Sequence, residues 1–595
     1  MSASPGAHAI GSVHPRLELR TLQNNKDLWN LYLLGLVRMQ AVPQDDKLSW
    51  YQIGSIHGMP FTPWDGVESI AYHETGYCVH SSNLFLSWHR PYVALYEQVL
   101  QSHVLAAARD WPPGPDRDRY VAAAQTFRAP YWDWAIYPPS GQNNTPPFMT
   151  DETIKVVRPN GSAEIPNPLY SYTFHPFDGA ILNDSRVHQF AEYRSTMRYP
   201  TDLTAKASSQ NTGVQKNMRD LRIQLRNALY DIFINYDNLT LVGNMASYHP
   251  DKYQSIEAIH GWVHNYVGGK FGNMLNVPWS AYDPSFMLHH VMVDRIFAMW
   301  QMLYPNSYVV PEKQDYATYM IQQGSIQDKN SPLAPFHSNT KGDFWTSEGV
   351  RNVSSLFYTY PELQLRDIWA LKTRINALYG APTIGHHTKR DTGADEELNT
   401  TATTTTTTVL GVETFMPVQP GQVDPVAAQQ NLPRFEYVVN FKLDRTALDG
   451  SGSLYFFLGN HSENPDDWKQ EPNLAGVAGL FVGAKALPGD VGSSIYGSVP
   501  LTSVIEERVA NHALSCMYPY EVDPFLTKSL TWAMTRADGT AIAPEDVAGL
   551  EVSVAAVQYR SALSECEFPE RVSPYMTLRA VTNGKPGGLS TDEAV

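Results

Sequence analysis

The chain has 595 residues, with 44 Lys and Arg against 60 Asp and Glu, and a formal charge of −16 at neutral pH. That length predicts two domains and a large core, and the acidic balance gives no basic footprint for nucleic acid or an anionic membrane. Cys78, Cys516 and Cys566 are too scattered for a disulfide framework, and neither a secretory start over Met1 to Leu19 nor a membrane-length apolar run is present, so a soluble, cytoplasmic protein is expected.

Trp50 to Ile56 predicts a helix closed by Gly58 and Pro60, with His57 at its end. His80 and His89 are not at helical spacing, which puts His80 on a loop before the helix that carries His89. Leu95, Val99, Leu100 and Val104 continue that helix, and Pro91 predicts that it begins or bends nearby. His260 and His264 are four apart and share one helical face with Glu257. Asp283 as N-cap and Pro284 at the first helical position open another helix that runs to about Tyr304. On it Phe286, His290 and Asp294 are successive neighbours four apart, so that Phe286 walls a site and His290 points into it. Asp294 or Arg295 would make supporting or helix-packing contacts. Helix phase alone does not choose between His289 and His290.

The composition changes at Gly385. His386 to Asp391, Glu396-Glu397 and a threonine tract from Thr403 to Thr408 carry no periodic apolar positions and read as a linker over 381–411, with Lys389-Arg390 open to proteases. Beyond it Phe435 to Phe441, Ser453 to Leu458 and Val552 to Val557 read as short strands. The expected architecture is a mainly α domain over 1–380, in which a central four-helix bundle holds a metal centre, followed by a β-sandwich-like domain over 412–595.

His57, His80 and His89 form one triplet; His260, His264 and the His289-His290 pair supply another. Di-iron bundles use Glu and Glu-x-x-His ligands, and paired zinc sites usually have bridging carboxylates. Six neutral imidazoles suit a pair of copper ions better than either. Cys78, two residues before His80, reads as a buried thiol or, beside copper, as a sulfur that can be joined oxidatively to the imidazole.

Two long patterns carry a family resemblance. His80-x4-Phe85-Leu86-x-Trp88-His89-Arg90-x2-Val93-x3-Glu97 and Asp283-Pro284-x-Phe286-Met287-x2-His290-x3-Asp294 are similar to the two copper signatures of the tyrosinases, and the whole chain resembles the long intracellular fungal tyrosinases or polyphenol oxidases. The resemblance implies one copper on His57, His80 and His89 and another on His260, His264 and His290, with His289 packed behind them. It further implies a Cys78–His80 thioether, Phe286 as an aromatic wall, Glu257 as the carboxylate that orients a water, and Val277 over the substrate access.

With O2 as co-substrate, monophenols such as L-tyrosine would be hydroxylated to o-diphenols, and L-DOPA and other catechols oxidised to o-quinones, the precursors of melanin-type pigments. Efficient monophenol hydroxylators of the family commonly carry Asn where this chain has Gly261, a departure that bears on the hydroxylation and not on catechol oxidation. A phenol with a pKa of about 10 needs a base at neutral pH, the role a Glu257-held water would fill. A latent proenzyme opened by a protease at the linker is expected, with Phe481 in Ala478 to Gly483 as the candidate plug. Catechol oxidase and a haemocyanin-like O2 carrier are the alternatives.

Overall fold

The computed structural model describes residues 12–184, 187–380, 433–483 and 493–589. The expected linker, with Lys389-Arg390, lies outside them.

Seven helices organise the N-terminal part: α1 (Lys26–Gln40), α2 (Trp50–Ser55), α3 (Phe85–Arg109), α4 (Asn211–Asn235), α5 (Ile256–Gly268), α6 (Pro284–Leu303) and α7 (Ile368–Tyr379). Local signals explain their starts. Ser49, Ser255 and Asp283 each accept a backbone N–H of the following turn. Neither α3 nor α4 has such a cap, and α3 starts at Phe85 and passes through Pro91. Pro91 neither opens nor ends it; in the second turn it forgoes one ladder bond, a loss that a helix buried along most of its length tolerates.

Helix α3 packs against α1 and α6, while α5 packs against α4 and α6. Buried ion pairs weld the centre. Arg90 meets Asp294 at 2.6 Å, and Arg16 meets Glu97 at 2.8 Å and Asp294 at 3.1 Å. The hydroxyls of Tyr358 and Tyr360 donate to the same Asp294 carboxylate, both at 2.6 Å. Arg295 spans Asp133 and Glu362 at 3.0 and 2.7 Å. Asp294 and Arg295 therefore lock helices together. Among the described residues, no helix is long and apolar enough to cross a membrane.

The C-terminal part is built from β1 (Arg434–Asp444), β2 (Gly452–Leu458), β3 (Leu474–Leu480), β4 (Ser494–Pro500), β5 (Leu530–Arg536), β6 (Ala541–Ile542), β7 (Glu551–Arg560), β8 (Glu570–Arg571) and β9 (Met576–Thr577). They form two antiparallel sheets, one in the order β3-β2-β5-β6 and the other β4-β1-β7-β8 with β9 also on β7. All three strands expected from sequence are present. Edge strand β3 lies on α5, and Gln224 of α4 satisfies it: the Gln224 amide donates to the Val477 carbonyl at 2.6 Å and accepts the Val477 N–H at 2.9 Å. Asn265 of α5 donates to the Gly452 carbonyl at 2.5 Å.

Candidate metal centre

Both histidine triplets converge in the core between α3, α5 and α6. His89 projects from α3, His260 and His264 from α5, and His290 from α6, while His57 sits just past α2 and His80 on the loop before α3. The triplets face each other, with the His89 and His290 rings 4.7 Å apart and the His80 and His260 rings 5.8 Å apart.

Main-chain carbonyls orient the imidazoles. Nδ1 of His57 is 2.9 Å from the Val277 carbonyl, that of His89 2.8 Å from Phe85, that of His260 3.1 Å from Glu257 and that of His264 2.8 Å from Met274. This arrangement puts the proton on Nδ1 and leaves Nε2 as the free donor. The Nε2 atoms of His57, His80, His89 and His260 are buried with no hydrogen-bond partner, and those of His264 and His290 face each other at 3.2 Å. Burial, ahead of every other cause, holds all six imidazoles towards the neutral form, His89 at about 4. Neutral donors with inward lone pairs and no carboxylate among them fit copper.

Among the described residues, two clusters have ligand atoms within 4.8 Å of one another: His57 with Cys78 and His80, and His260 and His264 with both His289 and His290. Cys78 thus lies at the first triplet, its buried thiol pushed upwards in pKa and so held protonated. His89 is set slightly apart, its ring 5.4 Å from that of His80. Nε2 of His289 is also buried without a partner, and one contact distinguishes His289 from His290. Trp134 donates its indole N–H to His289 Nδ1 at 3.2 Å, which engages that lone pair and leaves the proton on Nε2.

Phe286 is fully buried between the triplets, stacked on His290 at 4.0 Å and edge-on to His57 at 4.9 Å. Phe481, just beyond β3, lies parallel to the His264 ring at 3.8 Å and 15°. Its edge contacts to His80 and His260 are 5.7 and 5.5 Å. Val277 contributes the carbonyl that ties His57. Gly261 faces Gly479 and Phe481. Glu257 is buried; one oxygen accepts the Ser81 N–H at 2.5 Å and the other the Met245 N–H at 2.9 Å. Burial pushes its pKa up to about 8, against the lowering effect of those two bonds and of Arg445.

Sequence reasoning missed three groups here: Phe85, whose ring is 4.8 Å from His89 and 5.0 Å from His260, Trp134, and Tyr316 against the His80 main chain. Phe85 stands inside the first copper pattern and was open to detection. Trp134 and Tyr316 reach the site only by tertiary folding.

A buried helical core presenting six inward imidazoles defines a dinuclear copper protein with an appended β-domain. Residues 47–303 match the common central domain of tyrosinase and residues 436–554 the tyrosinase C-terminal domain. The chain is 32% identical to a tyrosinase of Neurospora crassa over 98% of this chain and 97% of that protein. It is 32% identical to a tyrosinase of Podospora anserina over 84% of this chain and 94% of that one. Its fold resembles a structure of latent and active mushroom tyrosinase, with a TM-score of 0.77 and 24% identity over 95% of this chain and 97% of that chain. The chain belongs to the tyrosinase family; it is an enzyme of copper-dependent phenol oxidation, and its cofactor is the family's dicopper centre.

Proposed function

We propose that His57, His80 and His89 hold one copper and His260, His264 and His290 the other, and that the chain is a latent enzyme acting on monophenols and o-diphenols. The convergence of buried, unpartnered Nε2 atoms from both triplets carries the reading. When bound, the copper pair supplies O2 activation and the acceptor for the substrate's electrons. The protein contributes the rest. Neutral imidazoles keep the centre's positive charge uncompensated, favouring a phenol's oxygen anion there. The His264 ring offers a stacking face for the substrate, with Phe286 fixing the aromatic wall between the triplets. Val277 borders the access, a reading supported by the tie between its carbonyl and His57.

Phe481 covers the His264 face on which a phenol would stack. That contact supports latency, and cleavage by a protease in 381–411 is the proposed release. Phe481→Ala should raise catechol oxidation by the intact chain towards the rate of the cleaved one. Equal activity of intact and cleaved chains would refute latency.

A second reading, catechol oxidase without efficient hydroxylation of monophenols, is favoured by two observations. Gly261 offers no side-chain amide to a water, and both oxygens of Glu257 are engaged by main-chain N–H groups. Burial raises the Glu257 carboxyl towards its protonated form, which works against its use as a base. Initial rates of the cleaved enzyme on L-tyrosine and L-DOPA decide between the readings. Turnover of L-DOPA with slow turnover of L-tyrosine is expected, and no turnover of any monophenol leaves catechol oxidase.

A further inference from the structure

His80 belongs to no helix or strand, so its geometry depends on what grips its loop. One hydroxyl closes both of its main-chain groups: Tyr316 accepts the His80 N–H at 2.7 Å and donates to the His80 carbonyl. The next residue, Ser81, adopts a left-handed backbone with φ of 47°, rare for a residue with a side chain. Its N–H is fixed by Glu257 at 2.5 Å.

Both grips lead to the β-domain. The Arg445 guanidinium, just past β1, lies 4.3 Å over the Tyr316 ring, and its own main-chain N–H is anchored to the Ser493 carbonyl at 2.9 Å. Arg445 and Tyr316 are both buried, where a cation over an aromatic face is stronger than at an exposed site. The second connection runs through Met245, whose N–H donates to Glu257 at 2.9 Å and whose carbonyl accepts the N–H of Tyr496 on β4 at 2.8 Å.

We propose that Tyr316 is a positioning residue for the copper ligand His80 and that Arg445 makes this positioning depend on the β-domain. The C-terminal part then has two separate effects on the centre. Phe481 covers the second triplet, while Arg445 braces the first. Residues behind a metal ligand commonly change metal affinity by roughly 10- to 100-fold, so the brace should act on one copper and leave the other unchanged. The inference rests on the assignment of His80 as a ligand.

The test uses the copper-loaded, full-length protein and follows copper transfer to a chelator by absorbance, together with copper per chain by elemental analysis. Tyr316→Phe removes both bonds to His80 but keeps the ring under Arg445. It should still load two coppers, one of which leaves roughly 10-fold faster or more while the other keeps its wild-type rate. Arg445→Met should accelerate the same phase by a smaller factor, and Arg445→Lys, which restores a cation over the ring, should bring it back. Wild-type release of both coppers from Tyr316→Phe, or equal acceleration of both, overturns the positioning role. His80→Ala separates the underlying assignment: one copper per chain upholds it, and two overturn it and the inference with it.

Discussion

Gly261 on α5 and Gly479 on β3 face each other across the junction of the helical core and the β-domain. A Cβ on Gly261 would lie 3.1 Å from the Gly479 carbonyl oxygen and 3.1 Å from Phe481 Cβ, and one on Gly479 would lie 2.9 Å from Trp262 Cα. Two side chains of hydrogen size let a strand approach a helix beside His260, and that approach delivers Phe481 to His264. On the proposed function Gly261 would tie substrate range to latency, because a residue long enough to help hold a water would push against Phe481.

Gly261→Ala should partly activate the intact chain. The new methyl meets backbone and Cβ atoms that must give by a few tenths of an ångström, and overpacking of this kind costs about 1–3 kcal/mol. Divided between strain in α5 and looser docking of β3, it should raise catechol oxidation by the uncut protein several-fold and leave the cleaved protein near wild type. Steady-state rates on a catechol before and after proteolysis check this. An uncut Gly261→Ala chain as silent as wild type would show that the strand absorbs the methyl without moving Phe481.

Metal-free protein should lose stability on mild acidification. Burial holds His89 at about 4 and His289 at about 3, and lowers His57, His80, His260, His264 and His290 well below their ordinary value. Unfolded histidine titrates at about 6.5. As pH falls from there towards 4 the unfolded chain takes up protons that the folded chain refuses, so stability falls with pH. Glu257 works in the opposite sense. Its pKa is raised to about 8, so its contribution is present at low pH and is lost as pH rises through 8. Glu436 and Asp231, raised by burial to about 8 and about 6, act in the same sense as Glu257, and the seven strongly shifted histidines outnumber these three carboxyls, so the acid loss dominates. Thermal unfolding of the copper-free protein at a series of pH values reads it, and a midpoint unchanged between pH 7 and 5 would contradict the neutral-imidazole description.

The parts of this architecture legible in sequence are those fixed by local rules. Asp283-Pro284 announced α6, and the spacing of His260 and His264 placed both on one face of α5. His80 was correctly set on a loop, but its support was invisible, because Tyr316 lies 236 residues away and nothing local marks it. Pro91 left a start or a bend nearby as the expectation, and the helix begins six residues before it, because the burial of α3 carries the chain through a residue that breaks exposed helices. Between His289 and His290 the sequence pattern alone did not choose, and the contact that supports the proposed His290, Trp134 on Nδ1 of His289, comes from a distant segment.

Asp294→Ala should be among the most destabilising single changes in the helical core. The carboxylate is 4% exposed and receives Arg90, Arg16, Tyr358 and Tyr360. Its removal takes the carboxylate partner from the buried Arg90 and leaves Arg16 with Glu97, an effect of about 3–5 kcal/mol. Because the Arg90–Asp294 pair joins the helices that carry His89 and His290, weaker copper retention should accompany a lower unfolding midpoint. Differential scanning calorimetry at a fixed scan rate, with copper analysis of the same sample, measures both, and a wild-type midpoint would mean that Glu97 and the main-chain carbonyls at Arg90 compensate the charges unaided.

Cys78 should become joined to His80, and only after copper and O2 have acted. The ligand atoms of Cys78, His57 and His80 lie within 4.8 Å of one another, and the thiol is buried and protonated, so it is poorly suited to serve as a thiolate ligand. Forming the bond between Sγ and an imidazole carbon removes the thiol hydrogen and the ring hydrogen as two protons and two electrons, the electrons passing to O2, the reaction's own oxidant. The peptide containing Cys78 and His80 should therefore be lighter by two hydrogens in protein loaded with copper in air, and of full mass in metal-free protein or in Cys78→Ser. Mass spectrometry of that peptide before and after loading gives the answer, and an unmodified peptide from fully loaded, active enzyme would leave Cys78 as a packed thiol.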